Sequence, residues 1–382
     1  MLNKKIFILI NSDREFDYYN SLIKKFPKHY VVVLNDHKKQ VNYHSFKTLK
    51  LKKYLKVTDF LKSRPEKKLP ILLSTGLGHL NIISIKSILI YLYARTFGFI
   101  MLKLNIHKYL FKIFKRTFTA GGSSAKIYDL IQIEKKISKI SVCFPRGLDI
   151  DIKKHPVNRW VDNFDYFLVH SKYDKKIIEK NTKKPTQIIG YPRYIRKKNS
   201  KINTKIKKIL WMPSYPKFSK DKLFNVTGWL TAFSILKKKY SITIKFHPKF
   251  SVDKKIKAIF EKHISIINNP KENLSQLYDK NDIIVCDYGG SIFSAVYNEK
   301  PVILLNNDKR KYGLLEENLE IVLRSKFYSI NRFNNDKLIN LINNISSDYK
   351  NKKLEIKKLK KKIFGNQITI GQVHKTIVNI LN

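Results

Sequence analysis

The stretch Asp282–Leu305, DIIVCDYGGSIFSAVYNEKPVILL, decides the fold. An apolar run, Ile283 to Cys286, stops at Asp287-Tyr288-Gly289-Gly290-Ser291; a short amphipathic segment follows, then a second apolar run from Pro301 to Leu305. Short apolar runs bounded by turn signals read as strands buried on both faces, and the segment between them reads as the crossover helix of a parallel sheet. A glycine-serine turn at a strand's carboxyl end suits an anion. Glycine lets the main chain come close, and the start of the helix presents unpaired N–H groups. Ser291 is placed to cap that helix and to donate to a phosphate. The same turn also occurs where nothing binds, so the glycine pair alone leaves both readings open.

Similar runs recur on either side. KIFILI (5–10), YVVVL (30–34), LPILLSTG (69–76), ISVCFP (140–145), DYFLVHS (165–171) and TQIIGYPR (186–193) form a first set; KILWMPS (208–214), SITIKFHP (241–248), ISIINNP (264–270) and the opening stretch form a second. Between them lies RKKNSKINTKIKK (196–208), polar and charged, which reads as a linker. The fold class expected is α/β: two Rossmann-like domains with parallel sheets facing across a cleft. Residues 1–195 form the first, 205–365 the second, and 366–382 a C-terminal helix. The Lys-rich run Tyr349–Lys362 reads as a solvated helix.

The 382 residues carry 77 Lys and Arg against 29 Asp and Glu, a formal net charge of +48. Such a field favours anionic partners: phosphates, nucleic acid or an acidic membrane surface. Part of the lysine count reflects a bias toward Lys, Ile and Asn, which leaves the scarcity of acidic residues unexplained. Between Glu66 and Asp129 there is no acidic residue, while Lys86, Arg95, Lys103, Lys112, Lys115 and Arg116 are spaced among Ile, Leu, Phe and Tyr. An apolar face flanked only by cations is the composition of an interfacial membrane helix; ordinary core helices with a basic outer face are the alternative. No uncharged run reaches the ~20 residues of a spanning helix. Ile6–Ile10 is too short for a secretory signal. Cys143 and Cys286 both sit in apolar runs and read as buried thiols of a reducing compartment. The expected location is the cytoplasm, peripheral on the inner face of the cytoplasmic membrane.

Two further strand ends fall at the same carboxyl edge as the Gly-Gly-Ser turn, and a third stands just before the linker. His247 closes SITIKFH ahead of Pro248, so an imidazole stands at a strand tip, suited to phosphate oxygens or to protonating a leaving group. Pro213-Ser214 ends KILWM, and Gly190, Pro192 and Arg193 precede the linker. Arg193 contacts phosphate or pairs with a carboxylate; the sequence leaves both open.

The order GYPR (190–193), MPSYP (212–216), FHP (246–248) and LYDKNDIIVCDYGGSIFSAVYNEKPVI (277–303) resembles the C-terminal half of the CDP-glycerol glycerophosphotransferase family, enzymes of teichoic-acid and capsule polysaccharide biosynthesis. The resemblance covers Asp165 to Leu305, FDYFLVHSKYDKKIIEK included. It implies a GT-B fold and a polyol phosphate moved from a CDP-linked donor to a lipid-linked or glycan acceptor with release of CMP. It further implies that His247, Ser291 and the loop Asp287, Tyr288, Gly289, Gly290 hold the donor diphosphate, and that the work is done at an anionic membrane surface.

Two departures stand out. Where the family has a Trp-His-Gly-Thr-Pro strand end with a basic His, this chain has Pro145-Arg146-Gly147. A guanidinium stays protonated, so Arg146 is a phosphate clamp rather than a base; the base then comes from Asp149, Asp151, His155 or His79. The second departure is Gly289-Gly290 in place of Ser-Ser, by which DYGGSIFSA also resembles the UDP-N-acetylglucosamine 2-epimerases. A GT-B glycosyltransferase using a UDP- or CMP-sugar is therefore the second reading. A nucleic-acid-binding protein, suggested only by charge, is a remote third, since no RNA- or DNA-binding signature is present. Nothing in the sequence asks for a metal or cofactor.

Overall fold

The computed structural model describes residues 5–11, 13–36, 53–63, 68–75, 133–145, 164–194, 205–213, 227–247, 254–266, 274–287, 290–306, 323–324, 327–331, 333–366 and 368–380. The basic apolar segment 66–129 lies almost wholly outside them, as do His79, Arg146, Asp149, Asp151, His155, Ser214, Tyr288 and Gly289. The chain divides into two compact units and passes from the first to the second between Arg193 and Tyr194; the segment from Ile368 onward returns to the first.

The first unit is built on a seven-stranded sheet, among the described residues, with order β3-β2-β1-β4-β5-β6-β7 and every pairing parallel. Its strands are β1 (Ile6–Ile10), β2 (Tyr30–Leu34), β3 (Tyr54–Lys56), β4 (Leu69–Ser74), β5 (Ser138–Cys143), β6 (Tyr166–Val169) and β7 (Thr186–Ile188). The helices are α1 (Asp13–Lys25), α2 (Val57–Ser63), α3 (Ile133–Ile137) and α4 (Lys172–Asn181). Central strands are nearly continuous Val, Ile and Leu because helices cover both faces, which explains why these runs do not alternate with polar residues.

The second unit carries β8 (Lys208–Met212), β9 (Ser241–Ile244), β10 (Ser265–Ile266), β11 (Ile283–Cys286), β12 (Val302–Asn306) and β13 (Tyr328–Asn331) in the order β10-β9-β8-β11-β12-β13, again all parallel. Its helices are α5 (Leu230–Leu236), α6 (Lys254–Glu261), α7 (Leu274–Lys280), α8 (Ser291–Tyr297), α9 (Asn335–Ser347) and α10 (Tyr349–Phe364). Trp211, Trp229, Phe233 and Phe260 are fully buried at its centre, with Trp211 stacked on Phe233 at 4.0 Å.

Both sheets run outward from a first strand in one direction and then restart on its other side. That reversal makes a topological switch point between β1 and β4 and another between β8 and β11. One device fixes the register of both. Asp165, just ahead of β6, accepts from the Ser141 N–H at 2.9 Å, and Asp282, just ahead of β11, accepts from the N–H groups of Lys207 and Lys208 at 2.8 and 2.9 Å.

Two expectations change. Ile206 is already packed in the second core, so the end of the run read as linker belongs to the folded unit. The Lys-rich helix α10 is not simply solvated: Tyr349, Ile356, Ile363 and Phe364 are buried, and Lys360 pairs with Glu299 at 3.2 Å while lying 4.6 Å over the Tyr297 ring. The terminal helix α11 (Ile370–Asn379) packs Ile370, Val373 and Ile377 into the first unit's core. A capping box starts it, Gln372 Oε1 accepting from the Thr369 N–H at 2.8 Å and Thr369 Oγ1 from the Gln372 N–H at 3.2 Å. His374 docks it by stacking on Phe26 at 3.9 Å and meeting the Tyr30 hydroxyl at 2.9 Å.

Candidate active site

The carboxyl edge of the second sheet gathers the sequence candidates that are described, Arg193 excepted. Cys286 is paired with Met212, so Asp287 and Pro213 leave adjacent strands β11 and β8 at one level, flanking the switch point. His247 follows β9, the next strand over, whose Ile244 is level with Trp211. Neighbouring strands lie about 4.8 Å apart, so the three tips span roughly 10 Å, the scale of a pyrophosphate and its flanking groups. His247 is half-buried there and Gly290 is exposed.

The turn into α8 differs in detail from the sequence reading. Gly290, not Ser291, occupies the cap position, so Ser291 is the first helical residue and its hydroxyl is not a cap. Gly290 has φ −65° and ψ −12°, ordinary helical values, and a Cβ there would meet nothing within 4 Å. Among the described residues, neither backbone conformation nor packing demands a glycine at this position. By contrast, a Cβ at Gly228 would come within 2.5 Å of Phe333. Helix α8 has only seven residues, so few peptide dipoles align behind it, and its body is buried from Ile292 to Tyr297.

Arg324 is a component the sequence reading missed. Its guanidinium donates through Nη2 to the Asp287 carbonyl and through Nη1 to Asn306 Oδ1 at 2.6 Å, tying the tips of β11 and β12 together. No motif announces it, because one acceptor is a main-chain carbonyl.

Arg193 sits in the first unit with its guanidinium 3.0 Å from Asp17 and 5.0 Å from the Tyr18 ring centre. Its described contacts are thus a carboxylate and an aromatic face. The next residue, Tyr194, is buried in the second unit, where its hydroxyl donates to Ser294 Oγ at 2.6 Å. Ser294 Oγ in turn donates to the Gly290 carbonyl at 3.1 Å.

In the first unit, His170 and Asp174 form a buried pair 4.0 Å apart, with His170 stacked on Tyr191 at 3.7 Å. Burial pushes the imidazole down to about 3 and the carboxyl up to about 7. Both cysteines are buried and form no disulfide, as strand thiols should. Among the described residues no cluster of three or more His, Cys, Asp or Glu is arranged for a metal, and no helix is long and apolar enough to cross a membrane.

Two doubly wound parallel units in one chain are the GT-B class, and comparison with solved structures agrees. The wall teichoic acid polymerase TagF is similar at TM-score 0.59 and 12% identity, covering 100% of this chain and 88% of that one. A form of the same polymerase soaked with CDPG gives 0.57 and 15%, covering 100% and 91%. The UDP-GlcNAc 2-epimerase of Neisseria meningitidis, in a crystal structure bound to UDP-GlcNAc, gives 0.54 and 13%, covering 99% of each. At these identities the likeness is one of fold. No curated protein matches the chain. The family is settled by sequence: residues 146–381 match CDP-glycerol:poly(glycerophosphate) glycerophosphotransferase, and the chain belongs to that family. It is a transferase, a CDP-glycerol glycerophosphotransferase. The match begins before and ends well after Asp165–Leu305, the span that the motifs alone carry.

Proposed function

We propose that the enzyme extends a cell-surface polymer of the teichoic-acid or capsule type by one glycerophosphate at a time, releasing CMP. The acceptor hydroxyl attacks the phosphorus that bears glycerol. The bond from that phosphorus to the bridging oxygen breaks, CMP leaves with the electron pair, and the hydroxyl proton passes to a base. Such transfer needs placement and charge stabilisation more than covalent help.

The observation that carries this reading is the gathering of His247, Pro213, Asp287, Gly290 and Ser291 at the switch point of one parallel sheet. There the second unit, taken as residues 205–365, holds the donor diphosphate. The Gly290 main chain gives close approach, Ser291 and His247 donate to phosphate oxygens, and Arg324 keeps the β11 tip in place. The first unit, taken as residues 1–195, receives the acceptor, lipid-linked or polymeric. Arg146 clamps phosphate, and the base is one of Asp149, His155 and His79. The net charge of +48 supports work on an anionic membrane surface.

Incubation with CDP-glycerol and a poly(glycerophosphate) primer, followed by ³¹P NMR, tests the chemistry. The expected products are CMP and a new phosphodiester. Nucleoside diphosphate released from a UDP-sugar, with CDP-glycerol untouched, assigns the fold to glycosyl transfer instead.

A further inference from the structure

The first sheet has its own switch point, and its strand tips carry a row of neutral polar residues. Asn11 follows β1, Asn35 follows β2 and Thr75 follows β4, with Ile10 paired to Leu34 and Ile8 to Leu73. Asn35 Nδ2 donates to Asn11 Oδ1 at 2.7 Å, and Glu15 Oε2 fixes Asn11 by accepting from its N–H at 2.8 Å and its Nδ2 at 3.2 Å. Tyr19, one turn beyond Glu15 on α1, is fully buried with its ring 4.6 Å from Phe144. Three atoms of this cluster are buried and have no hydrogen-bond partner: Tyr19 Oη, Asn35 Oδ1 and Thr75 Oγ1.

Such atoms are expensive. A buried polar group left unpaired loses its bonds to water and receives nothing in return. Three of them within one cluster, at the sheet edge where ligands of open α/β folds bind, point to a partner that arrives from outside. The chemistry of the set says which kind. The two hydroxyls can donate or accept, and the amide oxygen accepts. Among the described residues no Lys or Arg bonds to any of them, and the neighbouring Glu15 carboxylate disfavours a phosphate. Burial and Glu15 push the Tyr19 phenol well up, so it stays a donor.

We propose that the tips of β1, β2 and β4, with Tyr19, form a site for the uncharged hydroxyls of a polyol. Resting on the transferase reading above, the polyol is the glycerol end of the acceptor or the glycerol of the donor. Tyr19 and Thr75 donate to polyol oxygens, and Asn35 Oδ1 accepts from a polyol hydroxyl.

The test uses the full chain with Tyr19→Phe and Thr75→Val, each of which removes an unpaired hydroxyl without opening a cavity. Removing such a group leaves the melting temperature unchanged or raises it, so a folding failure is not expected. Each substitution should raise the KM for a poly(glycerophosphate) primer by about 3- to 10-fold, the worth of one lost hydrogen bond. Donor KM should hold, and Thr75→Ser should restore the primer KM. The same rise in the KM for CDP-glycerol instead assigns the site to the donor's glycerol. Unchanged KM values for both substrates, with only a higher melting temperature, overturn the proposal. A readout without turnover separates the two readings. Glycerophosphoglycerol should raise the melting temperature of the wild type and not of the double variant. That protection without any turnover of CDP-glycerol contradicts the transferase reading alone; turnover without that protection contradicts the polyol site alone.

Discussion

The Tyr194 hydroxyl donates to Ser294 Oγ at 2.6 Å, although the two residues are 100 positions apart in the chain. Arg193, immediately before, is bonded to Asp17 in the first unit. The backbone therefore leaves one unit held by a guanidinium and enters the other held by a phenol, and the phenol's partner also bonds the Gly290 carbonyl at the start of α8. Tyr194→Phe keeps the ring contacts with Tyr278 and Tyr297 but strips Ser294 of its donor. A loss of about 1 kcal/mol is expected, which lowers the melting temperature by about 2–4 °C. Calorimetry checks it; an unchanged melting temperature contradicts a structural role for this bond.

His247 stands at the tip of β9, one strand from Pro213 and two from Asp287. His247→Ala should cut turnover of CDP-glycerol by at least about 100-fold while leaving the fold intact. Steady-state rates with the variant decide this. Wild-type turnover removes the imidazole from the site.

Arg324 holds the carbonyl of Asp287 and the side chain of Asn306 with one guanidinium. A lysine is a point donor and cannot serve both acceptors in the same geometry. Arg324→Lys and Arg324→Ala should each weaken CDP-glycerol binding by about 10-fold or more, the scale of a lost charged hydrogen bond. Isothermal titration with the donor measures it, and unaltered affinity in both variants dissociates Arg324 from the donor site.

The buried pair His170 and Asp174 makes a prediction for pH. The imidazole titrates near 3 when folded and 6.5 when unfolded, so its contribution to stability is present above 6.5 and is lost as pH falls toward 3. The carboxyl titrates near 7 when folded and 3.8 when unfolded, so its contribution is present below 3.8 and is lost as pH rises through 7. Between 3.8 and 6.5 the two slopes oppose each other. Asp174→Asn removes the carboxyl's contribution, and stability relative to wild type should then fall as pH drops below about 7, by up to about 1.4 kcal/mol per pH unit down to 3.8. Melting curves from pH 4.5 to 7.5 show this as diverging profiles; parallel profiles contradict it.

Much of the fold was legible because parallel strands buried on both faces leave unbroken apolar runs. The carboxyl tips that followed, at Pro213, His247 and Asp287, could be read from the turn residues that end those runs. Helix α10 was misread because eleven of its residues are Lys, Asn, Glu or Tyr, and the run of lysines hides the apolar spacing of Tyr349, Ile356 and Ile363, one every seven residues. The buried Lys360 looked like its exposed neighbours because its partner, Glu299, lies 61 positions away. Arg324 and Tyr194 were illegible for the same reason. Each acts through an acceptor distant in sequence, and in one case through a main-chain carbonyl that has no residue identity.

The most direct test of the donor site is Gly290→Ala. Among the described residues a methyl group there meets nothing, and the backbone is already helical, so the variant should fold with an unchanged or slightly higher melting temperature. The account predicts that CDP-glycerol affinity, measured by isothermal titration, falls at least about 10-fold, because the methyl group occupies space the diphosphate needs. A Gly290→Ala protein that binds CDP-glycerol as tightly as the wild type contradicts the account.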